Sequence, residues 1–231
     1  MNNPVLQRIY DSIALRLYAA CKSWAGEMSR DRLILDVENG TVKDTSGKTW
    51  PIEIIGTYSK LSHSWRWAWA NDDSSVPSGV TSASRKMHDL GTKMQLAELV
   101  DESLDIDLEG ATQLAMIATG VSGCHALYPA EHSAGFVFLA SRVPILDENA
   151  RSPDLRQAAT RIAEGLAELP IASHEVAVEG LFAETDVAVL RNDNILTAAN
   201  PRGESLTIEF DHVGGRIVKV SFQSAGSATL S

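Results

Sequence analysis

Apolar positions at the start of the chain recur with the period of a helix. Leu6, Ile9, Ile13, Leu17, Ala20 and Trp24 predict one face of a long amphipathic helix. Asn3 is placed to cap it, and Pro4 suits a first helical position, where a missing N–H costs nothing. From Arg32 the period shortens to two. Leu33 and Leu35 alternate with Ile34 and Asp36, Glu38-Asn39-Gly40 signals a turn, and short strands are expected at 41–43 and 49–58, split by Ser46-Gly47. A further strand over 61–71 would set Trp65, Trp67 and Trp69 on one face and Arg66, Ala68 and Ala70 on the other.

Downstream, 71–79 reads as a flexible stretch and 82–94 as a helix interrupted by Gly91. An acidic segment over 96–109 precedes a short helix at 111–119, ended by Gly120 and Gly123. Tyr128-Pro129 marks a loop, and the continuous apolar run 134–141 predicts a central strand. Ser152-Pro153 signals a helix start; Leu155, Ala159, Ile162, Leu166 and Leu169 continue it until Pro170. A second helix over 174–183 leads to three or four strands. The last two predict a hairpin around Gly214-Gly215, with Leu206, Ile208 and Phe210 facing Val218, Val220 and Phe222. The tail from Gln223 is small and polar and is expected to fray.

This layout predicts an α+β fold. It would comprise a long N-terminal helix, an antiparallel meander sheet with helices packed on one side, and a C-terminal helix–β-meander unit. The expected division is 1–145, 150–223 and a frayed tail at 224–231.

Composition narrows the classes. The 231 residues are 44% hydrophobic and 22% charged, which excludes a disordered tail, a collagen-like chain and a disulfide scaffold. Thirty acids against 20 Lys+Arg give a formal charge of -10, the wrong sign for a free-standing nucleic-acid binder. Cys21 and Cys124 read as free thiols of a reducing cytoplasm. Arg8, Asp11 and Arg16 interrupt any apolar signal region, and no apolar run approaches a membrane span. A cytoplasmic protein with no membrane contact is therefore expected.

Several motifs fall short of a chemistry. Gly40 through Gly47-Lys48-Thr49 ends like a phosphate loop, but Val42 stands where its first Gly belongs and a hairpin surrounds it. Gly120-Val121-Ser122-Gly123-Cys124 resembles a nucleophile elbow with Cys in place of the last Gly, and it follows a helix. His174-Glu175 opens a zincin motif that Val178 leaves without its second His. Cys124, His125, Glu131 and His132 are the only local cluster of metal-competent side chains, and their spacing across Pro129 is poor for zinc. No catalytic residue, metal or cofactor is assigned.

The tryptophans carry a resemblance. Gly56-Thr57-Tyr58-Ser59, followed by Ser64-Trp65-Arg66-Trp67-Ala68-Trp69-Ala70-Asn71, resembles the signature of an uncharacterised bacterial domain family marked by W-x-W-A-W-A-N. Ala126-Leu127-Tyr128 and Phe136-Val137-Phe138-Leu139-Ala140 are similar to later motifs of that family, and 208–211 with 215–217 to its closing hairpin. The likeness covers roughly 40–140 well and the last third loosely. It implies a setting among immunity partners of secreted bacterial toxins, as in type VI secretion and polymorphic-toxin systems. No catalytic residue comes with it.

Glu98, Asp101, Glu102, Asp105, Asp107 and Glu109 are the candidate surface for such a partner: six acids and no base in twelve residues, interleaved with aliphatics. A solvated charged segment is the plainer reading. The expectation is an immunity protein, a non-enzymatic antitoxin that neutralises a cognate toxin, of which a basic nuclease effector is one candidate. The alternative is a small-ligand-binding domain or enzyme with a pocket near the tryptophan strand and His125. The tryptophans themselves are expected in the core.

Overall fold

The computed structural model describes residues 3–28, 33–71, 76–142 and 153–224. Residues 72–75 of the expected flexible stretch, Ser152 of the expected helix start, and the tail beyond 224 lie outside the described residues. Two compact units are present: Ala20–Ile145, and Asn2–Ala19 with Leu146–Ser231. Helix α1 (Pro4–Glu27) therefore gives its first turns to one unit and its last turns to the other. Residues 2–19 fall in the second unit, where Leu15 lies in the core. The helix starts as its sequence predicts, with the Asn3 side chain accepting from the amides of Val5 (3.0 Å) and Leu6 (3.3 Å).

In the first unit β1 (Ile34–Asp36), β2 (Thr41–Lys43) and β3 (Thr49–Pro51) form a small antiparallel meander. A five-stranded sheet follows. It contains β4 (Glu53–Ser59), β5 (Ser64–Trp67), β6 (Ser103–Asp105), β7 (Ala126–His132) and β8 (Gly135–Ser141), in the order β6-β5-β4-β8-β7. Every pairing in it is antiparallel. Helices α2 (Ser82–Met94) and α4 (Leu108–Val121) pack on β4, and the short α3 (Ala97–Val100) on α2. Gly91 does not interrupt α2. A Cβ there would come within 2.5 Å of Leu99 Cβ, so the glycine lets α3 approach.

Two further expectations fail in this unit. The strand expected through Asn71 stops at Trp67, and Ala68–Ala70 turn into a 3₁₀ helix. The Trp69 amide donates to Ser84 Oγ (3.1 Å) in α2 instead of to a neighbouring strand. Trp65 and Trp67 are thus core residues, whereas Trp69 is half-buried against His88 at 4.3 Å between ring centroids. Tyr128-Pro129, expected as a loop, lies inside β7. That strand is a sheet edge paired only with β8, where proline's missing N–H leaves no neighbour unsatisfied.

In the second unit, α5 (Leu155–Glu168) and α6 (His174–Phe182) join residues 4–19 of α1. They cover a four-stranded meander of β9 (Ala188–Asn192), β10 (Ile195–Ala199), β11 (Ser205–Phe210) and β12 (Ile217–Gln223). Asp154 caps α5, accepting from the amides of Arg156 and Gln157. The final hairpin keeps the expected Leu206–Phe222 and Ile208–Val220 partners, but Phe210 meets Ile217. A bulge after Lys219–Glu209 pairing takes up Val218 and moves the register by one.

Candidate functional site

The acidic segment is built around Trp67. Its backbone amide donates to the Glu102 carbonyl (3.2 Å) and its indole Nε1 to the Glu98 carbonyl (3.0 Å). Two residues back in β5, Trp65 pairs with Leu104 of β6. Leu96 and Leu99 are buried beneath the segment. The aliphatics therefore anchor the chain, and the main chain is held at both ends of a single indole. Gly56, in the first resemblance motif, makes room for this arrangement: a Cβ there would lie 2.4 Å from the Trp65 ring. Trp65 stands edge-on to Trp67 (5.2 Å) and to Phe138 (5.3 Å). Burying one indole of roughly 200 Å² contributes on the order of 5 kcal/mol before entropy is counted.

Of the six predicted acids, Asp101, Glu102, Asp105, Asp107 and Glu109 are exposed and Glu98 is half-buried. Asp107 has a structural task, capping α4 by accepting from the Gly110 amide at 2.8 Å. Among the described residues no basic side chain forms an ion pair with Asp101, Glu102, Asp105 or Glu109. Those four charges stand along and beside β6, the outermost strand of the sheet.

The other predicted centre does not come together as a cluster. Cys124 and His125 precede β7, whereas Glu131 and His132 end it, six residues away along an extended strand. Cys124 is buried, and burial pushes its thiol above the ordinary range, the opposite of an activated nucleophile. Glu131 is engaged by Lys60. Cys21 accepts from the Leu127 amide at 3.3 Å, and burial pushes its thiol up to about 11. Both cysteines are free thiols. The phosphate-loop look-alike is a β2–β3 turn in which Asp44 takes the Ser46 hydroxyl (2.6 Å) and the Lys48 amide (3.0 Å).

One charged constellation escaped the sequence reading. Glu53, at the start of β4, is buried, pairs with Arg142 through Oε1, and accepts from the Ala83 amide (2.5 Å) in the first turn of α2 through Oε2. Arg142 and Lys86 each also reach the Ser122 carbonyl at 3.4 Å. The only signal in the sequence is a carboxylate between Ile52 and Ile54. With both oxygens engaged, Glu53 ties a helix start, a strand start and the end of β8 together; it is not poised as a base.

No helix among the described residues is long and apolar enough to cross a membrane. No curated protein and no solved structure matches the chain. The tryptophan signature, Gly56 beneath it and the β7–β8 motifs all lie within one stretch that a family model does match, residues 7–142, and the chain belongs to that family, a family of unknown function (DUF6882).

Proposed function

We propose that this protein is an immunity protein, a non-enzymatic inhibitor that binds a cognate secreted antibacterial toxin by direct protein–protein contact. A basic toxin, as a nuclease effector would be, suits its charge. One observation carries the reading: four exposed acids, without basic partners among the described residues, stand on and beside an edge strand whose preceding segment is pinned by Trp67 at Glu98 and Glu102. Charges held on a fixed scaffold need little reordering to meet a complementary surface. Their field also speeds encounter with a cationic partner. Free thiols are compatible with action in a reducing cytoplasm.

The test is co-expression with the product of the neighbouring gene in the native operon, followed by affinity purification and a growth assay. A stoichiometric complex, with rescue from an otherwise lethal neighbour, is the expected result. Absence of both binding and toxicity overturns the proposal. In the complex, a combined Asp101→Asn, Glu102→Gln, Asp105→Asn and Glu109→Gln variant should associate more slowly, most clearly at low salt. Unchanged association would place the interface elsewhere.

A further inference from the structure

The edges of the two larger sheets are unequally protected. Strand β6 has three residues with acids beside it, β7 carries Pro129, and β12 carries Lys219 and the bulge at Val218. Each is a known way of preventing a sheet edge from pairing with another chain. The fourth edge, β9, has neither a proline nor a bulge, although Asp186 and Asp193 flank it. Its five residues, Ala188-Val189-Leu190-Arg191-Asn192, are all exposed, Leu190 by 71% and Val189 by 42%. Its single charge is already compensated, since Arg191 binds Glu175 (2.8 Å) and Glu179 (3.3 Å) of α6.

We propose that β9 is a self-association edge, pairing antiparallel with β9 of a second copy of this chain across a two-fold axis at Leu190. The register follows from the turn. Asp193-Asn194 is a two-residue connection, with Asp193 at φ 53°, so Asn192 and Ile195 form the closing hydrogen-bonded pair. Alternation then points the N–H and C=O groups of Asn192, Leu190 and Ala188 toward β10, and those of Val189 and Arg191 outward. Among the described residues, no hydrogen bond outside the strand ladder uses those outward groups. Val189 of one copy and Arg191 of the other satisfy each other, twice over, with four backbone hydrogen bonds.

The same register puts the two Leu190 side chains opposite each other at a closely spaced, non-hydrogen-bonded pair. Ile195, 38% exposed on the neighbouring strand of the same face, flanks them. Arg191 is engaged within its own copy by Glu175 and Glu179, so it brings no unpaired positive charge to the contact. Two five-residue strands bury less than a standard interface, so the dimer is weak and reversible. It does not depend on the function proposed above.

Sedimentation velocity of the full chain from micromolar to sub-millimolar concentration tests it, and a reversible monomer–dimer equilibrium is expected. Leu190→Lys should weaken association by about tenfold or more, through lost contact and like-charge repulsion. The variant's melting curve should be unchanged, since Leu190 is exposed. Leu190→Cys should cross-link to a dimer on mild oxidation, because Cα atoms about 4.5 Å apart suit a disulfide; Lys219→Cys should not. A chain monomeric at every concentration overturns the proposal. So does open-ended growth, the signature of β9 pairing with β12, and so does a dimer indifferent to Leu190→Lys that fails to cross-link at 190.

Discussion

The carboxylate of Asp11, in the first helix, accepts a hydrogen bond from the backbone amide of Ser173 at 2.9 Å. Its other oxygen takes the Ala172 amide (3.1 Å) and Gln7 Nε2 (2.8 Å). Asp11 is buried, and the two amides belong to the turn that leads into α6. Asp11→Ala should destabilise the protein by about 2–3 kcal/mol in urea unfolding, because it strips the turn of its acceptor. Asp11→Asn, which retains one acceptor oxygen, should cost less. Equal losses for both variants would show that the charge, not the acceptor geometry, matters.

Gly180 is where α6 meets α1. A Cβ at that position would sit 1.8 Å from the Ser12 carbonyl oxygen, a backbone atom that cannot swing aside. Gly180→Ala should therefore cost more than about 2 kcal/mol, despite the gain in helix propensity of about 1 kcal/mol. Gly26, exposed in α1 with no atom near its Cβ position, supplies the contrast. Gly26→Ala should be neutral or stabilising by up to about 1 kcal/mol. Thermal melts of the two variants read the difference directly.

Trp67→Ala should cost about 3–5 kcal/mol, with a fall in melting temperature of many degrees. Trp67→Phe isolates the indole N–H, leaving the Glu98 carbonyl without its donor at a cost of about 1 kcal/mol. Trp69→Ala should cost less than Trp67→Ala, because Trp69 is half-buried outside the strand. A stable Trp67→Ala protein that has lost partner binding would contradict the assignment of Trp67 to the core.

His174 gives stability a pH dependence. Its Nδ1 accepts the Ile217 amide at 3.2 Å, which requires the unprotonated nitrogen. Burial, and after it the charge of Arg216, hold its imidazole below the ordinary range, while Asp11 and Asp211 pull the other way. The unfolded chain therefore takes up the proton first as the pH falls. The His174 contribution is intact above about pH 6.5, and is lost as the pH drops through that value and then through the lower folded-state value. The difference in melting temperature between wild type and His174→Gln should shrink on acidification over that window. A constant difference would remove His174 from the pH response.

Much of the architecture was legible residue by residue. The 3.6-residue stripe from Leu6 to Trp24, the cap at Asn3, the helix over 82–94 and the final hairpin all rest on interactions between near neighbours, which sequence spacing records. The exposure of the acidic candidate was legible as well, since its acids are interleaved with Leu99 and Leu104, which turn inward. Glu53 was not: nothing within a few residues of it announces Arg142 or the Ala83 amide.

Local periodicity thus determined the longer helices, the apolar strand over 134–141 and the final hairpin, while composition gave the acidic character of 98–109, and the aromatic alternation the core placement of Trp65 and Trp67. Tertiary structure alone decided where those patterns stop. Ser84 ends the tryptophan strand at Trp67 by offering the Trp69 amide a partner from another helix. An edge position lets Pro129 sit within a strand, and a bulge at Val218 shifts the last pairing. Asp11, Leu15 and Gly180 assign the first helical turns to the second unit. The physical reason is common to all: each outcome depends on which distant backbone or carboxylate arrives to satisfy a hydrogen bond or fill a contact, and spacing along the chain carries no record of that partner.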